Sequence, residues 1–294
     1  MTALPPWHPS SYARRKPYLD TRLRVMNALR GVFAAEDFVE VETPALQISP
    51  GNEVHLHAFK TAFHDPHGGG KSQTLYLHTS PEFAMKKLLV AGVPRLYQMA
   101  RAFRNGERSS RHHPEFCMLE WYRADATTKE IMRDCTLLVR AAAKAANKTL
   151  FSANNMVCNP FQPWEMLSVA GAFQRYAKID LLATAPDPLK PDAKLLKKEV
   201  ERAGFRASDS DTWDDLFFRV MGEVIEPVLG KDVPTFLCDY PVSMAALARP
   251  KPEDPRLAER FELYICGYEI ANAFGELTDP DEQERRFKED MALK

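Results

Sequence analysis

Residues 95–123 read RLYQMARAFRNGERSSRHHPEFCMLEWYR. Leu96 to Phe103 mixes apolar, aromatic and small residues as a strand does. Arg104 to His113 is almost wholly polar, with Gly106 to let it turn, and Glu115 to Tyr122 is extended and rich in aromatics. The pattern predicts a hairpin with charges at its mouth and side chains on its floor. The loop carries Arg104, Glu107, Arg108 and Arg111, and the strands add Arg101, Glu115 and Glu120. So many charges around an apolar hairpin cost desolvation energy unless a multiply charged partner binds there. A solvated hairpin tip accounts for Arg108, but not for Glu120 between Leu119 and Trp121, because carboxylates are rare within apolar segments.

Around this hairpin the chain is ordinary in bulk. Its 294 residues can bury a substantial core, and 39 Lys+Arg against 40 Asp+Glu give a net charge of −1. That balance argues against a protein living by non-specific attraction to nucleic acid. No signal-peptide core or membrane-span run is read, and the five cysteines are scattered without a CxxC pair. A reduced, cytoplasmic globular protein without membrane attachment is expected, and a structural zinc site is not.

Along the chain, residues 1–16 read as a loosely packed lead-in, and a helix is expected from Tyr18 to about Glu36. Residues 38–42 alternate like a strand until Thr43-Pro44 stops it. Strands are expected near 56–63 and 73–78, joined by a tip containing Gly70-Lys71-Ser72. That tip resembles a phosphate-binding loop but has Asp65 where the pattern needs glycine, and a strand follows it, so it reads as a hairpin tip. Ser80-Pro81-Glu82 opens a helix that Gly92 stops; on position alone Glu82 complements the helix dipole. Thr127 and Glu130 form a capping-box pattern for a helix to about Asn147. A connection at 150–165 and helices near 166–178, 192–203 and 212–229 make residues 150–230 a helical insertion. Strands resume at 235–238, 258–266 and 268–274, and a charged helix fills 279–294. The expected fold class is α+β: a mostly antiparallel sheet flanked by helices, with that insertion.

A second charged cluster lies on ERFELYICGYEIANAFGEL, where Glu262, Glu269 and Glu276 are each seven residues from the next. Carboxylates on apolar strands suit Mg²⁺ bound beside substrate phosphates, or a cationic substrate. Arginines for phosphate oxygens, Phe116 as a stacking surface, and Glu82 and Glu120 for positive charge complete a nucleotide site beside a cation site. An acidic strand pair balanced by Arg260 and Arg285 is the alternative.

These stretches resemble the catalytic domain of class II aminoacyl-tRNA synthetases. FVEVETP at 38–44 looks like motif 1, whose proline that family uses at a dimer interface, and FRNGERSSRHHPEF at 103–116 looks like motif 2. The 259–277 stretch and the PTFL run ending at Leu237 are similar to the lysyl branch. Within it, LHTSPEFAMKKLLVAG, with Ser80 where the tRNA enzymes usually carry alanine, and MLEWYRA resemble the ligase family that modifies elongation factor P. A catalytic pattern beginning near residue 17 is expected to lack an anticodon-binding domain before motif 1.

The resemblance implies ATP-dependent activation of (R)-β-lysine, or lysine, and transfer to a lysine side chain of elongation factor P, in a homodimer not expected to bind tRNA. It implies that Arg104 is catalytic, holding the α-phosphate, with Phe116 beneath adenine, and that Asn105, Glu107, His113 and the Leu263 backbone line the nucleotide. Glu262 and Glu269 would hold Mg²⁺, and Ser80, Glu82, Glu120, Tyr122, Glu269, Asn272 and Glu276 would form the substrate pocket. Two departures stand out. The family's FRNE reads Arg104-Asn105-Gly106-Glu107 here, displacing the glutamate by one. Motif 3, with its γ-phosphate arginine, is expected beyond residue 294. The catalytic half of a lysyl-tRNA synthetase, and an inactive synthetase-like module, are the competing expectations.

Overall fold

The computed structural model describes residues 4–49, 51, 56–67 and 72–293. The Gly70-Lys71 tip lies outside them. The chain divides into two compact units, one of residues 1–32 and 127–279 and the other of 33–126 and 280–294.

The first helix, α1 (Pro9–Ala35), begins at Pro9 rather than Tyr18 and carries Pro17 inside it. Residues 9–16 lack an apolar period, so the pattern that marks the rest of the helix is absent there. Proline fits a helix start because its missing N–H has no partner to lose. Around Pro17, Thr21 Oγ1 donates to Pro17 O at 2.8 Å, and Lys16 pairs with Asp20 at 2.6 Å.

In the 33–126 unit, β1 (Val39–Glu40), β2 (Leu46–Gln47), β3 (Phe59–His64) and β4 (Ser72–Leu77) lead to α2 (Glu82–Val90) and the hairpin β5 (Arg95–Phe103) and β6 (Glu115–Arg123). The 38–42 strand shortens to two residues and pairs parallel to β5, while β3 pairs antiparallel with β4. Phe33 stacks on Tyr97 with centroids 4.1 Å apart, and Arg123 lies over Phe38 at 4.6 Å while bonding Glu36 at 3.2 Å. The hairpin is thereby fixed at its base, and its tip stays at the surface. The charged helix expected at 279–294 belongs to this unit as Pro280–Leu293, with Phe287 edge-on to Phe83.

The other unit opens with α3 (Thr128–Ala145), where Thr127 N donates to Glu130 Oε2 at 2.8 Å, as its capping pattern predicts. The expected connection at 150–165 and the helix start at 166 are corrected. β7 (Phe151–Ala153) and β8 (Met156–Cys158) form a hairpin about Asn154-Asn155, and β9 (Glu165–Ser168) pairs parallel to a later strand. Both asparagines have positive φ, 50° and 57°, the backbone a tight hairpin turn needs. Ser168 Oγ then accepts from Gly171 N and starts α4 (Val169–Ala172). The helices α5 (Ala193–Arg202) and α6 (Trp213–Val220) follow, then β10 (Thr235–Pro241), β11 (Leu257–Ile265) and β12 (Tyr268–Phe274). Sheet order is β12-β11-β10-β9.

The helical block is no separate appendage. Phe173, Leu196, Trp213 and Phe217 share one buried core with Leu237 of β10 and Tyr264 of β11. Each large apolar side chain so buried contributes about 1.5–3 kcal/mol. Residues without evident chemistry thus hold the strand that carries Glu262.

Candidate functional site

The β5–β6 register pairs Ala102 with Phe116, Gln98 with Glu120 and Leu96 with Tyr122. Alternation then puts Phe116, Glu120 and Tyr122 on one face. The small residues Ala100 and Ala102 stand opposite Met118 and Phe116 and leave room above them. At the loop, Arg104 N donates to Pro114 O and Asn105 N to His57 O, which holds the Arg104-Asn105 backbone at both sides. The Arg104 guanidinium lies 5.3 Å from the Phe116 ring centroid and 3.8 Å from Glu107. A flat cation over an aromatic face leaves a stacking platform beside a phosphate reader. His113 is turned to its own strand, its Nδ1 2.7 Å from Glu115 O.

The acidic half of the hairpin is built with α2. Ser80 Oγ donates to Glu120 Oε1 at 2.6 Å and accepts from Glu82 N at 3.0 Å, so one hydroxyl ties helix to strand. Tyr122 Oη donates to Glu120 Oε2 at 3.3 Å. Burial pushes the Glu120 carboxyl up to about 7, the Ser80 bond opposes that rise, and Glu82 reinforces it. Lys86 answers Glu82 at 2.6 Å and stands 6.0 Å from the Tyr122 ring. Two carboxylates with one internal ammonium leave an excess of negative charge for a cationic ligand. Sequence reading brings Ser80, Glu82, Glu120 and Tyr122 to this place and misses Lys86, whose i,i+4 spacing from Glu82 was its signal.

In the other unit, Glu262 is 7 % exposed and bound on both oxygens: Arg260 Nη2 donates to Oε1 and Tyr264 Oη to Oε2, each at 2.7 Å. Arg260 also donates to Met244 O and to Asn272 Oδ1, and packs over the Tyr240 ring at 4.3 Å. The expected balancing by Arg260 is therefore real at Glu262, while Arg285 pairs with Glu282. Asn272 pairs with Glu262 across β11–β12 and Glu269 with Tyr264, although 269 and 272 differ by an odd count. A bulge between Leu263 and Tyr264 leaves Ile270 unmatched, so Glu262, Glu269 and Asn272 share one face. A second irregularity, at Asp239 with φ 60°, likewise turns Tyr240 to the face of Glu262. Tyr240 Oη is buried without a hydrogen-bond partner. Leu263 points to the opposite, buried face, and Glu276 lies past β12 in a bridge to Ala248.

The chain matches the family described as tRNA synthetases class II (D, K and N) over residues 11–294. The chain belongs to these class II synthetases. Among relatives, it is 39 % identical over 284 residues to the elongation factor P--(R)-beta-lysine ligase of Salmonella arizonae, covering 97 % of this chain and 80 % of that protein. The protein of the same name from Erwinia tasmaniensis is 39 % identical over 289 residues, with the same two coverages.

In this class II synthetase, Glu262 and Glu269 share one face of the β11–β12 hairpin, carboxylates of the kind that could hold Mg²⁺. Among the described residues no three His, Cys, Asp or Glu side chains converge as a cage. Mg²⁺ takes one or two carboxylates beside substrate phosphates, so no cage is needed. A carboxylate has about four lone-pair sites, so Glu262 keeps acceptor capacity after its two bonds. Tyr240 escapes sequence reading because an irregularity at Asp239, not spacing, turns it to Glu262, whereas Tyr264, two residues along β11 from Glu262, had simple alternation as its signal.

Proposed function

We propose that the chain is an ATP-dependent ligase that activates (R)-β-lysine, or lysine, as an acyl-adenylate and passes the acyl group to a lysine side chain of elongation factor P. The observation that carries this reading is the Ser80–Glu120 bond with Glu82 beside it: an acidic seat for an ammonium on the same hairpin as Arg104 and Phe116. The names of the relatives support the acceptor and the substrate. A net charge of −1 accords with a protein acceptor rather than tRNA.

In the first step the substrate carboxylate attacks the α-phosphorus and pyrophosphate leaves. Arg104 meets the charge growing on the α-phosphoryl oxygens, with Asn105, Glu107 and His113 lining the nucleotide and Phe116 stacking on adenine. Ser80, Glu82, Glu120 and Tyr122 hold the ammonium groups, with Glu269, Asn272 and Glu276 contributing polar contacts to the substrate. Glu262 and Glu269 would hold Mg²⁺, which supplies charge neutralisation at the phosphates. In the second step an acceptor amine attacks the acyl carbonyl, the amide forms and AMP leaves. No covalent enzyme intermediate is involved.

The exposed apolar side chains Tyr12, Tyr18, Leu19 and Leu23 on α1 support a homodimer. The free cysteines accord with the reducing cytoplasm. No helix among the described residues is long and apolar enough to cross a membrane.

Pyrophosphate exchange with (R)-β-lysine and with α-lysine, followed by transfer to elongation factor P, tests the function. Preference for the β-isomer with transfer to the factor is expected. Preference for α-lysine with transfer to tRNA overturns it.

A further inference from the structure

Arg260 stands on the same face of β11 as Glu262, two residues before it and ahead of the bulge that follows Leu263. Its direct partner on β12 is Phe274, and Asn272, the partner of Glu262, lies diagonal to it. A long side chain spans that diagonal. All three nitrogens of the guanidinium are engaged. Nη1 donates to Met244 O, Nη2 to Glu262 Oε1 at 2.7 Å, and Nε to Asn272 Oδ1 at 3.3 Å. The group also lies 4.3 Å over the Tyr240 ring, which fixes its plane.

Countercharge alone does not account for this arrangement. The bond through Nη2 already pairs Glu262 with a cation, and the bond from Nε to Asn272 adds nothing to that pairing. Asn272 does not need the bond for solvation either, because it is exposed and water can serve it. Holding an exposed amide in one place costs rotamer freedom. What the bond supplies is orientation. A guanidinium only donates, so the amide oxygen faces Nε, and the amide nitrogen, a donor, is turned away from it.

We propose that Arg260 is a positioning residue that aims the Asn272 amide at the substrate while it holds Glu262. Its effect on the substrate runs through Asn272. The assignment rests on the function proposed above, in which Asn272 meets the substrate, and adds the group that orients it.

Lysine at position 260 separates the two tasks. Its ammonium keeps a positive charge beside Glu262, but a single nitrogen lacks the planar fork that reaches the carboxylate, the Met244 carbonyl and Asn272 together. Titration calorimetry with (R)-β-lysine and with Mg²⁺-ATP, on wild type, R260K, N272A and the double variant, reads both. Expected for R260K is affinity for (R)-β-lysine lower by about fivefold, as for one lost hydrogen bond, with affinity for Mg²⁺-ATP within about twofold of wild type. In the N272A background R260K is expected to add no further loss of (R)-β-lysine, because the amide it acts through is gone. A purely structural role predicts the same loss in both backgrounds. An R260K protein that binds (R)-β-lysine like wild type, that loses both ligands in equal measure, or that loses as much with Asn272 removed overturns the assignment while leaving the ligase reading in place. A wild-type protein that binds neither (R)-β-lysine nor α-lysine overturns the ligase reading and this assignment with it.

Discussion

Glu120 ties a protonation state to a cationic ligand. Its carboxyl is raised from 4.5 to about 7 by burial, so the folded protein holds a proton there that the unfolded chain has lost. Stability from this group is complete below about pH 4.5 and is lost as pH rises through about 7. Glu120→Gln should therefore melt higher than wild type near pH 8, by up to about 3 kcal/mol, and the gap should close near pH 5 in thermal scans. Ligand binding should show the opposite face of the same proton. Affinity for (R)-β-lysine should rise in wild type as pH passes 7 and stay flat and weak in Glu120→Gln, measured by calorimetry at several pH values. On the nucleotide side, Arg104→Ala should slow pyrophosphate exchange by about 10²–10³-fold, because the developing phosphoryl charge loses its preorganised partner. Much of this half was legible in the sequence. Period-two alternation in a strand puts Phe116, Glu120 and Tyr122 on one face whatever the rest of the chain does. Tyr240 was not legible, because an irregularity at Asp239, a fact of strand pairing, turns it to the face of Glu262.

At the scale of elements, reading succeeded where local chemistry decides and failed where partners decide. Ser80-Pro81-Glu82, the Thr127–Glu130 cap and the strand at 268–274 each carry their own signal. The three strands within 151–168 did not, because short strands take their identity from what they pair with, although Asn154-Asn155 was an available turn signal. Asn155, at φ 57°, sits where glycine is less strained, so Asn155→Gly should stabilise by about 0.5–1 kcal/mol, read as a higher melting temperature. The converse holds at Gly230, with φ 69°, where an added Cβ would stand 2.5 Å from the backbone oxygen of Tyr264. Gly230→Ala should cost more than about 2 kcal/mol in denaturant titration, since both the backbone angle and the β11 strand oppose it.

For the whole molecule, composition bounded the class and motif resemblance supplied the family, but neither shows how a helical block serves the chemistry. The shared core does: Tyr264 is 1 % exposed among helix side chains and spends its hydroxyl on Glu262. Packing in residues 169–228 therefore sets a carboxylate's orientation at a distance in sequence. Leu216→Ala should lower stability by about 2–5 kcal/mol as a buried truncation, measured in urea. Assembly is a property of this scale too. Leu23→Glu places charge on the exposed apolar side of α1 and should shift sedimentation toward monomer without lowering the melting temperature of the isolated chain.

The bulge at Ile270 makes the β11–β12 hairpin a parity device. A strand has only two faces, so each residue inserted or deleted between Glu269 and Asn272 moves one side of the count by one. An odd change sends either Glu269 or Asn272 away from Glu262, whereas an even change leaves the alignment recoverable. Length variation within β12 between Glu269 and Asn272 is thus confined to steps of two, a rule written in the register and independent of which amino acids occupy it.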